Sequence, residues 1–156
     1  MQIHFITVGK LKSPHLAALA QDYLGRLGRF VRCDVMTVRE AAESTASDVR
    51  RAQEQEATAI LAKIPASAFM VLLDVEGAMV SSEKLAEMIE RHQNEATKDL
   101  YFVIGGFSGV AESVRKRANW RWSLSKLTFT HEIAQVLVAE QLYRAYTILH
   151  RHPYSK

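Results

Sequence analysis

Three short segments of this 156-residue sequence hold residue types that can do chemistry, and each follows an apolar run. They are Leu73-Asp74-Val75-Glu76-Gly77, Ile104-Gly105-Gly106-Phe107-Ser108-Gly109 and Leu124-Ser125-Lys126-Leu127-Thr128-Phe129. Adjacent glycines at 105 and 106 let a backbone turn sharply and approach a ligand closely. A helix opening after Gly109 would point its N-terminus at the same place. The spacing matches neither the dinucleotide fingerprint nor the phosphate-binding loop, so a tight turn and a ligand loop both stay open. Asp74 and Glu76 could form an acid–base pair, although turn hydrogen bonds account for them more simply.

A second set of candidates lies near the C-terminus. His150 and His152 are two apart with no third ligand nearby, which is a poor zinc set, and no metal is expected. The segment His150 to Lys156 could join RNA or close on a substrate, with a frayed terminus as the alternative. Glu140 and Arg144 are spaced for an i, i+4 ion pair; this is either a surface pair or an arginine held at a dimer or RNA surface. Trp120 and Trp122 could stack on bases, but a tryptophan entering a strand more often belongs to the core, and Trp122 is assigned there.

The elements that must position these residues follow from apolar patterning. Strands are predicted at Ile3 to Val8, Val31 to Val38, Phe69 to Val75, Leu100 to Ile104 and around Trp122 to Leu124. The third and fourth are continuously apolar, as strands buried on both faces are. Helices are predicted from Ser13-Pro14 to about Leu27, from Thr45 to about Lys63, after Ser81-Ser82, after Ser108-Gly109, and from about His131 to Leu149. Apolar residues spread widely around the last helix, so it needs cover on more than one side, with the sheet and a second subunit expected to supply it. Strict β-α alternation means an open parallel α/β sheet with right-handed crossovers. In such sheets ligands bind beyond the carboxyl ends of strands, so the three segments can share one pocket. The polar stretch Arg39 to Asp48 is the most mobile candidate.

Length sets a single domain spanning 1–156. No apolar run reaches bilayer length, the N-terminus lacks signal-peptide features, and the one cysteine, Cys33, excludes an internal disulfide framework. A cytoplasmic protein with no membrane partner is expected. Net charge is +3, but residues 113–156 carry eight Lys/Arg and two acids, a net of +6, leaving −3 for the rest. A basic C-terminal third suits a polyanionic partner; a solvated helix face is the equal alternative.

Taken together, these residues resemble the RlmH family of SPOUT-class methyltransferases, which modify pseudouridine in large-subunit ribosomal RNA. The resemblance covers nearly the whole chain. It is carried by Val8-Gly9-Lys10-Leu11-Lys12, Leu72-Leu73-Asp74-x-x-Gly77, Ser81-Ser82-Glu83-x-Leu85-Ala86, Phe102-Val103-Ile104-Gly105-Gly106, Leu124 to Phe129, Ala139-Glu140-Gln141-Leu142-Tyr143-Arg144-Ala145 and His152-Pro153-Tyr154. It implies a parallel-sheet SPOUT (α/β-knot) fold in which the C-terminal helix threads a trefoil knot. It implies S-adenosylmethionine as methyl donor, bound by Leu73, Gly105, Leu124, Ser125, Lys126, Leu127, Thr128 and Phe129. The implied reaction is methylation of N3 of a pseudouridine in 23S RNA on the assembled ribosome, by a homodimer in which the tail of one subunit completes the pocket of the other. His152, Tyr154 and Arg144 are the implied groups for proton removal, orientation or charge stabilisation. Relatives commonly carry Arg where this chain has Gln135, His where it has Ser155, and Pro where it has Thr130. The first two departures favour the alternative of a non-catalytic ribosome-binding protein on the same fold.

Overall fold

A computed structural model describes residues 1–42 and 45–155. Lys156 and part of the polar stretch Arg39 to Asp48 fall outside the described residues. Five parallel strands, β1 (Gln2–Val8), β2 (Arg32–Val38), β3 (Phe69–Met79), β4 (Asp99–Ile104) and β5 (Trp120–Ser123), lie in the order β2-β1-β4-β3-β5. The continuously apolar β4 takes the centre, with Leu100 to Ile104 buried. Helices α1 (Pro14–Leu27), α2 (Ala46–Leu61), α3 (Ser82–Asn94), α4 (Glu112–Arg117) and α5 (His131–Leu149) connect or follow the strands, and a 3-10 turn at Pro153–Ser155 ends the chain.

Alternating side chains feed two cores. Ile3, Phe5, Val71, Leu100 and Phe102 face α1, α3 and α5, meeting Leu27, Leu85, Ile89, Leu142 and Tyr146. Ile6, Val8, Met70, Leu72 and Val103 face α2 and α4, meeting Ile60 and Val114. The helix starts are fixed by capping oxygens, which satisfy amides that lack a partner in the first turn. Ser13 accepts from Leu16 N, Thr45 from Asp48 N, Ser81 from Lys84 N and Thr130 from Ile133 N. Pro14 occupies the first turn of α1, where its missing N–H costs nothing.

Two expectations are revised. Most of the apolar band of α5 is covered within the chain, by the sheet below and by α1 and α3 on either side, and Ile133 at its start is left exposed. The third strand also runs past Val75 to Met79. Leu73 and Ala78 both pair with Trp122 of β5, which leaves residues 74–77 as a bulge. A bulge re-aims side chains at a sheet edge, and here it sends Asp74 toward the carboxyl ends of the strands.

Gly77 ends that bulge because nothing larger fits: a Cβ there would lie 2.6 Å from the backbone carbonyl of Arg121. Gly77→Ala is therefore expected to cost about 1–3 kcal/mol through forced backbone movement, read as a fall of several degrees in Tm. An unchanged melting temperature would contradict this packing.

Candidate active site

All five strands are parallel, so their carboxyl ends share one edge of the sheet. The three segments converge there around a cavity of about 420 Å3, a size suited to a small-molecule ligand. Of the eight residues expected to hold a donor, Leu73, Gly105, Leu124, Ser125, Leu127, Thr128 and Phe129 line it, while the exposed Lys126 does not. Ile104, Val110, Trp122 and Ala134 complete the apolar wall; His131, in the first turn of α5, and Arg115, on α4, add polar groups. The third loop braces itself: Ser123 Oγ donates to the Ser125 carbonyl (2.9 Å), and Leu127 N–H donates to Ser125 Oγ (3.0 Å). The glycine at 105 has a more local reason than ligand access. A Cβ there would lie 2.6 Å from Val110 Cγ1, so the loop can fold back on itself only without one.

One carboxylate ties the first loop to the end of the glycine loop and to β5, the strand that leads into the third. Asp74, with its side chain 5% exposed, accepts at Oδ2 from Arg115 Nε (3.3 Å) and from Arg121 Nε (3.0 Å). Arg121 Nη2 lies 2.9 Å from the same oxygen and 3.2 Å from Glu76 Oε2. Asp74 Oδ1 accepts from Glu76 N–H (3.1 Å), closing the bulge. Arg115 also donates through Nη1 to the Val110 carbonyl (2.9 Å), reaching the end of the glycine loop. Burial by itself would raise the Asp74 pKa, but the Glu76 amide and the two guanidiniums outweigh it and hold the carboxyl below its ordinary range. Asp74 is thus a fixed anion rather than a proton acceptor, and the idea of an Asp74–Glu76 acid–base pair gives way to an ion-pair network.

That network changes the reading of charge. Of the eight cations after residue 112, Arg115, Arg121 and Arg144 are paired with carboxylates. Arg117 donates to the carbonyls of Pro65, Ala66 and Ala68 and to Asn119 Oδ1, clasping the α2–β3 connection. Four of these eight side chains are therefore engaged inside the chain. Among the described residues no cluster of three His, Cys, Asp or Glu side chains could hold a metal ion, and no helix is long and apolar enough to cross a membrane.

Arg144, His152 and Tyr154 gather elsewhere. Arg144 donates to Glu140 Oε1 (Nη2, 2.7 Å; Nε, 3.0 Å), and its guanidinium lies 4.8 Å from the centre of the Tyr154 ring. Tyr154 OH donates to Glu140 Oε1 (3.0 Å) and lies 3.3 Å from Tyr23 OH. Tyr154 N–H reaches His152 Nδ1 at 3.3 Å. Burial, with the Tyr23 and Glu140 contacts, pushes the Tyr154 pKa well above that of a free phenol, so this side chain keeps its proton. The cluster lies on the second half of α5, about ten residues and thus roughly 15 Å along the axis from Ala134. Within one chain it is not brought to the cavity. Trp122 is buried in the core as expected and stacks on Trp120.

A parallel sheet with a ligand-sized cavity at its carboxyl edge, ringed by three loops and the start of the last helix, has close counterparts among known proteins. The sequence model of the SPOUT methyltransferase family matches residues 1–155, and the chain belongs to that family. Its sequence relatives narrow the kinship to ribosomal RNA large subunit methyltransferase H. The chain is 40% identical over 154 residues to that protein of Syntrophotalea carbinolica, covering 99% of this chain and 98% of the relative. It is 39% identical over 159 residues to that of Ureaplasma urealyticum, covering both chains fully. Solved structures confirm the fold: a probable methyltransferase of Bordetella pertussis (TM-score 0.57, 14% identity, 92% of this chain and 95% of that one), and a Legionella pneumophila methyltransferase bearing its bound cofactor SAM (TM-score 0.53, 10% identity, 93% and 66%).

Asp74→Asn keeps the shape of the side chain and removes its charge. With both arginines about one-third exposed, the expected loss at pH 7 is about 1–2 kcal/mol. The carboxyl pKa is lower in the folded than in the unfolded state, so its contribution is complete above the unfolded value of about 3.9 and vanishes as pH falls through the folded one. Denaturation of both proteins should show a stability gap at pH 7 that closes below about pH 4. A gap independent of pH would contradict the ion-pair account.

Proposed function

We propose that residues 1–156 form a single domain that methylates large-subunit ribosomal RNA in the cytoplasm, with S-adenosylmethionine as donor, and that the acceptor is N3 of a pseudouridine in 23S RNA on the assembled ribosome. The observation that carries this reading is the cavity itself: seven of the eight residues implied to hold the donor line one space. Leu73, Leu124, Leu127 and Phe129 offer an apolar slot for an adenine ring, and the backbone of residues 124–129 offers polar edges. Bound there, S-adenosylmethionine supplies an electrophilic methyl group on a sulfonium.

The chain's own work is to hold the acceptor in line and dispose of its proton. N3 of the base carries a hydrogen and attacks poorly until that hydrogen leaves. His131 supplies the one imidazole that the described residues bring to the cavity wall, and a ring nitrogen there can accept a hydrogen bond from the base. Arg144 stays cationic beside Glu140 and suits stabilisation of the negative charge that develops on the base. Tyr154 keeps its proton and can only donate to an acceptor. Because Arg144, His152 and Tyr154 lie far from the cavity of their own chain, they can serve a reaction only at the cavity of a partner, which favours a homodimer.

Two further features support an interface on α1 and α5. Leu19 and Ile133 are exposed there. Gln135 Nε2 is buried with no hydrogen-bond partner among the described residues, beside a second cavity of about 170 Å3 between these helices. Gln135 follows Ala134 of the donor cavity wall but lines the second cavity instead, so its departure from the family's arginine removes no lining residue of the donor cavity.

Mass spectrometry of nucleosides should find a methylated pseudouridine in 23S RNA of ribosomes incubated with this protein and donor, and none without protein. Ribosome binding without methyl transfer would select the non-catalytic alternative. A mixing experiment tests the shared site. Gly105→Val (no cavity) and Arg144→Ala (no tail arginine) are each expected to be inactive. Together they should recover about a quarter of wild-type activity, since half of the dimers are mixed and each has one complete site. No recovery after subunit exchange would contradict completion by the partner.

A further inference from the structure

Phe107 is 87% exposed at the apex of the glycine loop. A single apolar residue on a surface is ordinary, but this one is not isolated. Of nine exposed large hydrophobic residues among those described, four line the same cavity: Val75, Phe107, Leu127 and Phe129, drawn from three separate loops. A rim of this kind marks a surface that something covers.

The loop holds its ring out on a fixed mount. Gly106 and Gly109 form a β-bridge across the turn, with Gly109 N–H donating to the Gly106 carbonyl at 3.1 Å. Gln53 Nε2 on α2 donates to the Ser108 carbonyl at 2.6 Å. A Cβ on Gly106 would meet Val8 Cγ1 at 2.9 Å, so the turn sits directly on the end of β1. Gly109, at φ +80°, uses backbone space that favours glycine. The turn is anchored from below on β1 and α2, and the aromatic ring is the only large apolar side chain it presents upward.

The chemistry of the surroundings selects the occupant. Lys126 on the third loop and Lys116 on α4 are exposed with no ion pair among the described residues, while the other cations near the rim are engaged with Asp74. A flat ring at the cavity mouth matches a nucleobase, since every base offers a π-face, and Lys116 and Lys126, each next in sequence to a residue that lines the cavity, suit the phosphates of the same strand. A second protein subunit would instead need a broad continuous patch, which a single projecting ring does not make.

We propose that Phe107 is a stacking platform for an unpaired nucleobase of the RNA substrate, set at the mouth of the methyl-donor cavity. This rests on the methyltransferase reading above and adds to it a residue that holds the acceptor strand. Stacking tolerates any aromatic ring and is lost with an aliphatic one, whereas simple apolar cover is kept by leucine.

The test compares full-length Phe107→Ala, Phe107→Leu and Phe107→Trp with wild type, all expected to share its Tm. KM for ribosomes should rise about ten-fold in the alanine and leucine proteins and return to near wild type with tryptophan. Donor affinity, measured by calorimetry, should stay within about two-fold throughout. Wild-type KM in the alanine protein, or full rescue by leucine, overturns the proposal. So does an equal loss of donor affinity, which assigns the ring to the donor, or a weakened dimer in sedimentation, which assigns it to a second copy. If wild type transfers no methyl group, the functional reading fails separately. The same four proteins are then compared for binding of fluorescent single-stranded RNA, where loss on alanine and recovery on tryptophan supports stacking and an unchanged Kd overturns it.

Discussion

One nearly buried carboxylate holds the cavity-bearing edge of this protein together. Asp74 leaves the sheet at a bulge, receives a guanidinium from α4 and another from β5, and accepts the amide that closes its own turn. Through Arg115 the same network reaches the Val110 carbonyl at the end of the glycine loop. Three segments far apart in sequence thereby acquire fixed relative positions. A cavity built only from loop backbone and leucine side chains would have little to set its width. An anion shared by two cations resists both opening, which would strand the carboxylate away from its partners, and closing, which would crowd the guanidiniums.

The rest of the fold supplies what this network needs. Parallel strands bring all five carboxyl ends to one edge. Gly77 permits the bulge to rejoin the strand against Arg121, and Gly105 permits its loop to fold onto Val110. The arginine clasp of Arg117 on the Pro65–Ala68 carbonyls fixes α4, the helix from which Arg115 extends. The N-terminal end of α5 enters the cavity wall at His131 and Ala134, while its far end carries Arg144 and the Tyr154 tail away from it. Within one chain this division keeps the tail apart from the cavity.

The fold was legible in the sequence because its signals are local. Leu100 to Ile104 reads as a strand buried on both faces and is the central one. Ser13-Pro14 and Ser81 read as helix starts and cap helices through their own oxygens. The cavity was legible too, because loops after parallel strands must meet. What the sequence hid was long-range. Asp74 is separated from Arg115 by 41 residues and from Arg121 by 47, and no periodicity links them. The charge count after residue 112 suggested a free basic surface, since composition does not reveal which arginines are already paired. The breadth of the α5 apolar band shows how much cover is needed, but not that α1 and α3 provide most of it and leave Ile133 exposed.

The central claim is that these three loops form one cavity for the methyl donor. Isothermal titration of the purified chain with S-adenosylmethionine tests it most directly. The account predicts saturable binding of one donor per chain, abolished by Gly105→Val in a protein that keeps its folded sheet. Absence of binding to the wild-type chain, or unchanged binding to the valine variant, would contradict it.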